Sequence, residues 1–411
     1  MTKVVERFPA GGAVAVEDLL AAVRRTPEGG PLTVGDERVT DFLVAFARQL
    51  LKPAVARRYP ELGSLGFFLR RGELAKAVAR VADQPGQLRF PRGLVFHVPP
   101  ANVDTIFVYS WALSALAGNA NVVRISSRSA GAADAVLDAL NETLDGAAPA
   151  LRQTQRMVTY GRDDAVTAAL SAAADLRVIW GGDRSVHEIR RHPLAPHARD
   201  LTFPDRASFT VISAAGWLGA SEAERDAGAR GLYNDAYWFD QAACSSPRTL
   251  YWAGPAEQAA AARADLLARL RTVLDAKRFE VDAAMAVEKR VATYGLAMTG
   301  DATGIRFDGN DLATVDLAHP ADIPRRWLGV GTFPQAVVGS LDELAEVVVR
   351  RDQTVTHFGF TEAELTAFAR RLAGRGVDRI VPLGEALSFA GIWDGYDLMH
   401  EFTRITTVLA R

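Results

Sequence analysis

Residues 94–125 read LVFHVPPANVDTIFVYSWALSALAGNANVVRI, and this stretch decides the fold class. Residues 94–98 are a short apolar run bounded by Gly93 and Pro99, the form of a buried strand. Residues 106–116 are apolar at helical length, Gly118 and Asn119 form a turn, and 121–125 is a second apolar strand. Strand, helix-length crossover and strand make a βαβ unit, which builds a parallel sheet covered on both faces. Downstream the alternation continues with helix 130–144, a strand near 157–160, helix 163–174, strand 176–180 and helix 184–191. It restarts after residue 245 with strand 249–252, helix 255–274, strand 332–338, helix 341–350, strand 355–360, helix 361–374 and strand 378–381. The fold class is therefore α/β, with two lobes packed together and a border near residues 236–246. The first 90 residues read as mostly helical, with an amphipathic run at 18–25. There Thr40 caps a helix that ends at Pro53, and a second helical run covers 65–81.

The chain has 411 residues, 49% of them hydrophobic and 23% charged, enough for two to three sizeable cores. Its 47 basic and 49 acidic residues leave a net charge of −2, so nothing global attracts nucleic acid or an anionic membrane. No stretch reaches the roughly 20 apolar residues of a membrane helix. Glu6, Glu17 and Asp18 stand where a signal peptide needs an apolar core, so a cytoplasmic protein is expected. A single cysteine excludes an intramolecular disulfide and a multi-cysteine metal site. The seven histidines are scattered without metal-ligand spacing.

The fingerprints G-x-G-x-x-G, G-x-S-x-G and G-x-x-x-x-G-K-[ST] are absent. Candidate chemistry sits at turns instead. Gly181 and Gly182, after strand 176–180, allow a ligand close to the backbone, although paired glycines also serve ordinary turns. Cys244 lies in 237–248, YWFDQAACSSPR, between the lobes, where a thiol could be a nucleophile or a small buried hydrophobe. Asn102, after Pro99 and Pro100, could donate to an oxyanion or simply form a turn. His97, inside a strand, reads as a core histidine. These residues leave the chemistry open.

Four ordered stretches together resemble the aldehyde dehydrogenase superfamily, and within it the LuxC-type acyl-CoA reductases. They are residues 97–129, HVPPANVDTIFVYSWALSALAGNANVVRISSRS; 178–190, VIWGGDRSVHEIR; 238–252, WFDQAACSSPRTLYW; and 379–404, RIVPLGEALSFAGIWDGYDLMHEFTR. The resemblance covers about residues 90–405. It implies two three-layer α/β lobes: a helical N-terminal segment (1–90) on the cofactor lobe, a Rossmann-like NAD(P) lobe (91–236), a catalytic lobe (237–390) and a C-terminal return (391–411). It also implies reduction of an acyl thioester to an aldehyde through an acyl-cysteine on Cys244, with Asn102 and the Cys244 amide holding the oxyanion. Gly181 and Gly182 would form the cofactor-phosphate turn.

Departures from ordinary aldehyde dehydrogenases sharpen this. Thr202 stands nearest the place of their glutamate base, which favours an acylating reductase over oxidation to free acid. Residues 326–331, RWLGVG, replace their ribose clamp. Arg124, Ser126 and Ser127 stand where a lysine would be, and a guanidinium with hydroxyls suits a 2′-phosphate, pointing to NADPH with NADH as the alternative. The donor would be acyl-CoA or an acyl carrier protein, with an acyl-activating enzyme as a possible partner and a homo-oligomer as the assembly. The C-terminal run 403–409 could be an edge strand pairing across subunits. Trp111, Tyr237, Trp238, Phe239 and Trp393 could line an acyl tunnel or belong to the core. His357 is the one nameable base for a dehydrogenase of free aldehydes. Two other readings stand: a cysteine acyltransferase or thioesterase, and a non-catalytic partner subunit.

Overall fold

The computed structural model describes residues 2–100, 106–127 and 131–409. By internal contacts the chain divides into two compact units: Met1–Pro204 with Phe389–Arg411, and Asp205–Ser388. The border thus falls at residue 204/205, not near 236. Residues 205–236 carry a strand that pairs only within the second sheet, and strand pairing over long range is not visible in local sequence texture.

In the first unit β1 (Lys3–Phe8) and β2 (Ala10–Ala15) form an antiparallel hairpin, and β3 (Gln87–Pro91) precedes β4 (Leu94–Val98). Then come β5 (Ala120–Ile125), β6 (Gln155–Thr159), β7 (Leu176–Trp180) and β8 (Arg199–Phe203). The sheet order is β2-β1-β6-β5-β4-β7-β8, with β6 through β8 parallel. The chain runs outward from β4 through β5 to β6, then crosses to the other side of β4 for β7 and β8. That reversal beside β4 is the topological switch point of a doubly wound sheet. Leu94, Phe96 and Val98 feed one apolar cluster and Val95 the opposite one, so both faces are covered.

The N-terminal segment differs from its helical expectation by the hairpin, whose β1 extends the sheet against β6. Asp36, not Thr40, caps helix Glu37–Leu50, accepting from the Arg38 amide at 3.0 Å. The expected run 65–81 is broken between helices Pro60–Phe68 and Arg71–Ala79.

The second unit holds β9 (Ala207–Ser213), β10 (Pro247–Ala253), β11 (Ala302–Asp308), β12 (Leu312–Leu317), β13 (Thr332–Val338), β14 (Asp352–Phe358) and β15 (Arg379–Pro382). Their order is β11-β12-β13-β10-β9-β14-β15, parallel except for the β11–β12 pair. Leu250 and Trp252 pack on one face and Tyr251 and Ala253 on the other.

The C-terminal return belongs to the first unit and adds β16 (Ile392–Trp393), β17 (Tyr396–Asp397) and β18 (Thr403–Thr407). β18 pairs antiparallel with β3 of its own chain, so the strand expected to reach across subunits has an intramolecular partner. No helix among the described residues is long and apolar enough to cross a membrane.

Candidate active site

Each unit carries part of the expected chemistry. In the first, a cavity of about 670 Å³ opens at the C-terminal ends of β4, β5 and β7, at the switch point. Pro99, Pro100, Arg124, Ser126, Gly181 and Gly182 line it. Ser127, one residue further on, is exposed and outside the lining. Asn102 lies outside the described residues.

Gly182 precedes helix Asp183–Arg190, and a Cβ added there would meet no atom within 4 Å. The missing side chain leaves the helix's first amides facing open space, where an anion is favoured. Arg124 lies over the Tyr160 ring, 4.7 Å from its centroid, with one long contact from Nη2 to the Gly161 carbonyl at 3.4 Å. Two further arginines, Arg162 and Arg184, line the same cavity, and sequence reading missed both because their strand ends are far apart in the chain. Among the described residues no carboxylate lies within ion-pairing distance of Arg124, Arg162 or Arg184. Of the three acidic residues of the lining, Asp163 caps helix Asp164–Ala173, Glu188 pairs with Arg191, and the exposed Asp164 lies 3.6 Å from His192 Nε2. Trp180 stacks on Phe203 with ring centroids 3.6 Å apart, and its buried Nε1 has no partner among the described residues. Such a cavity suits a phosphate-bearing ligand.

His97 is fully buried between Ser110 Oγ at 3.0 Å and Asn121 Oδ1 at 2.9 Å, a core histidine as expected. Burial pushes its imidazole down to about 4. Trp111 is likewise core, donating to Gln155 Oε1 at 2.9 Å, and Tyr237 is buried with its hydroxyl on the Asp311 carbonyl at 3.0 Å. Neither lines a tunnel within its own unit.

In the second unit Cys244 sits in the turn between helix Glu222–Tyr237 and β10, and is half-buried. The turn is fixed by contacts from several elements. Ser208 on β9 donates its hydroxyl to the Cys244 carbonyl at 2.7 Å. Gln241, at φ +58°, donates to the Pro247 carbonyl at 2.9 Å and accepts from the Thr332 amide at 3.2 Å. Trp327 Nε1 reaches the Asp240 carbonyl at 2.9 Å. Residues 326–331 therefore brace the cysteine turn through Trp327. That stretch is itself held by the buried Lys289, whose ammonium donates to the Val330 and Asn310 carbonyls, both at 2.9 Å. Burial pushes that ammonium down to about 8. Gly331 is obligatory: at φ +63°, an added Cβ would lie 1.8 Å from the Asp311 carbonyl oxygen.

His357 is the penultimate residue of β14, whose start at Asp352 pairs with Ala207 beside Ser208. Five residues of strand, about 16 Å at 3.3 Å each, separate His357 from the cysteine turn. His357 is thus no base for Cys244. Thr202 lies on β8, where its hydroxyl accepts from Arg190 Nη2 at 3.4 Å, and carries no carboxylate. Among the described residues no group of three or more metal-ligating side chains comes together.

A family model described as acyl-CoA reductase (LuxC) matches residues 80–405, a span that includes the cavity, the cysteine turn and β18. The chain belongs to the LuxC acyl-CoA reductase family. Among relatives of this LuxC chain, long-chain acyl-protein thioester reductase 2 of Photobacterium leiognathi is 26% identical over 166 residues, 40% of this chain and 33% of that protein. The long-chain acyl-protein thioester reductase of Aliivibrio fischeri is 25% identical over 167 residues, with 40% and 33% covered. The matched stretch thus spans about a third of these relatives' length. The fold is that of aldehyde dehydrogenases. A putative aldehyde dehydrogenase from Burkholderia cenocepacia superposes with a TM-score of 0.67 at 15% identity, covering 99% of this chain and 95% of that one. Aldehyde dehydrogenase 21 from Physcomitrella patens gives 0.68 at 13%, with 96% and 90% covered.

Proposed function

We propose that this LuxC-family chain reduces an acyl thioester to an aldehyde with NADPH, through an acyl group carried on Cys244. What carries the reading is a family match that runs through the chain's one cysteine, on a turn fixed by Ser208, Gln241 and Trp327. A turn so constrained presents its side chain in one orientation, which is what nucleophilic attack requires.

Cys244 Sγ would attack the thioester carbonyl carbon. A C–S bond forms, the carbonyl oxygen takes the negative charge, and the donor's thiol leaves with a proton from solvent. The Cys244 amide and Asn102 would hold that charge, a contribution worth about 10²–10³ in rate per donor in other enzymes. No carboxylate stands at Thr202 to activate water, so the acyl-cysteine persists. A reduced nicotinamide, if held by the residues lining the first unit's cavity, would supply the hydride that takes the acyl carbon to the aldehyde level. Gly181 and Gly182 would admit its pyrophosphate, and Arg124 with Ser126 and Ser127, joined by Arg162 and Arg184, would hold the phosphates. Arg124's spare donors favour NADPH over NADH. Cys244 is released as the aldehyde leaves.

The relatives' names point to an acyl-protein donor, so a carrier-protein or enzyme-bound acyl group stands beside acyl-CoA as substrate, supplied by an acyl-activating partner. A homo-oligomer in the cytoplasm completes the reading. The test follows NADPH absorbance with a panel of acyl-CoA and acyl-carrier-protein thioesters, wild type against Cys244→Ala, with aldehyde and free thiol assayed in parallel. Cofactor loss matched by aldehyde and abolished by the substitution is the expected result. Thiol release without cofactor loss would indicate an acyltransferase or thioesterase. Inertness toward all donors with no NADPH binding would indicate a non-catalytic subunit.

A further inference from the structure

Pro247 pairs with Ser208 and Thr249 with Phe209, so two steps along β10 match one along β9 and Arg248 is the extra residue of a β-bulge. A bulge breaks the in-out alternation of a strand and re-aims one side chain. Here the re-aimed side chain turns back toward the cysteine turn: Arg248 Nη2 meets the Ala242 carbonyl at 3.4 Å, two residues before Cys244. β10 is flanked by β9 and β13, and Arg248 is only 8% exposed. Its Nε has no hydrogen-bond partner among the described residues. Among the described residues no carboxylate pairs with it. Asp205, which attracts it from a distance, is already paired with Arg351, and Arg351 repels it. Among the described residues, Cys244 is the other acidic group whose charge, when ionised, would act on this guanidinium.

A guanidinium buried without a counter-ion is costly, and a protein retains one where something compensates it. A thiolate does so, and the benefit is mutual. We propose that Arg248 is a positioning residue that holds Cys244 as its thiolate, in the role other cysteine enzymes give to a neighbouring histidine. Within this sheet His357 lies near the far end of β14, five residues from Asp352. The thiol gives its proton to solvent, and Arg248 stays charged throughout. Among the described groups, Asp205 and Arg351, which form an ion pair with each other, act on Arg248, and the neutral Ser208 hydroxyl donates to the Cys244 carbonyl. The inference rests on the proposed nucleophile for its purpose, but the thiolate can be measured without turnover.

Cys244 is the only cysteine, so the mass added by iodoacetamide to the full chain reports on it alone. The rate of alkylation against pH yields a midpoint. In wild type we expect it at least one pH unit below the value of about 8.5 for a free cysteine. Arg248→Gln should return it to about 8.5, slowing alkylation at pH 7 about tenfold, and Arg248→Lys, which keeps the charge, should retain most of the depression. Thermal unfolding of each variant checks that it is folded. A wild-type midpoint at or above the free value overturns the proposal, as does a midpoint that a folded Arg248→Gln leaves unmoved. Should Arg248→Gln fail to fold, wild type and Arg248→Lys decide: both depressed supports the proposal, and wild type undepressed overturns it. A depressed midpoint in a chain inert toward every acyl thioester would overturn the reductase reading and leave this one standing.

Discussion

Ser208 Oγ donates to the Cys244 carbonyl at 2.7 Å while accepting the Thr354 amide at 3.2 Å, so one hydroxyl ties the cysteine turn to both β9 and β14. Ser208→Ala leaves a carbonyl and an amide without that partner. A loss of about 1–3 kcal/mol in denaturant unfolding is expected, the usual cost of unmade buried hydrogen bonds. Reduction of the acyl thioester should fall together with it, because the turn is no longer held. Unchanged turnover in a destabilised variant would separate the brace from the chemistry.

Gly331 gives a sharper test of the same region. Its positive φ and the 1.8 Å approach of an added Cβ to the Asp311 carbonyl leave no room for Gly331→Ala. The variant should lose about 3 kcal/mol or more, or fail to accumulate in soluble form. Gly182→Ala is the control: with no atom within 4 Å of its Cβ, it should stay within about 1 kcal/mol of wild type.

Gly182 and Arg124 are expected to act on ligand binding instead. Gly182→Leu covers the amides at the start of helix Asp183–Arg190 and should weaken both nicotinamide cofactors about tenfold in fluorescence titration. Arg124→Ala should weaken NADPH by about 10–100-fold, the worth of a charge-assisted hydrogen bond, and NADH by much less. Equal loss for both cofactors would remove the 2′-phosphate role.

Two buried groups set opposite pH dependences. Asp235 in the second unit is buried and accepts from the Gly384 and Ala386 amides at 2.7 and 2.9 Å, yet burial pushes its carboxyl up to about 7. Between the unfolded value of about 3.9 and that point the native state binds the extra proton, so its contribution to stability is lost as pH rises through this window. Asp235→Asn should flatten that fall, which is on the order of a few kcal/mol in urea unfolding. His97 is held neutral down to about 4, whereas the unfolded chain takes up its proton below about 6.5. Its contribution is therefore lost as pH falls through that window, and His97→Gln should remove the acid limb. An unchanged profile in either variant would discard the corresponding assignment.

Sequence alone determined the α/β class, the strands 94–98, 176–180 and 332–338, and the turn at Cys244 marked by Ser245, Ser246 and Pro247. Each of these is a local property: apolar runs of strand length, helical crossovers and turn formers are written within a few residues of one another. Tertiary structure alone decided the rest. Residues 205–236 join the second unit because β9 pairs with β10 and β14, partners distant in the chain. β18 finds β3 of its own chain, and Arg124, Arg162 and Arg184 meet at one cavity because the C-terminal ends of β5, β6 and β7 lie along the same edge of the sheet. Arg248 turns toward the cysteine through a register slip of a single residue, and register is set by the partner strand, which no local pattern of side chains encodes.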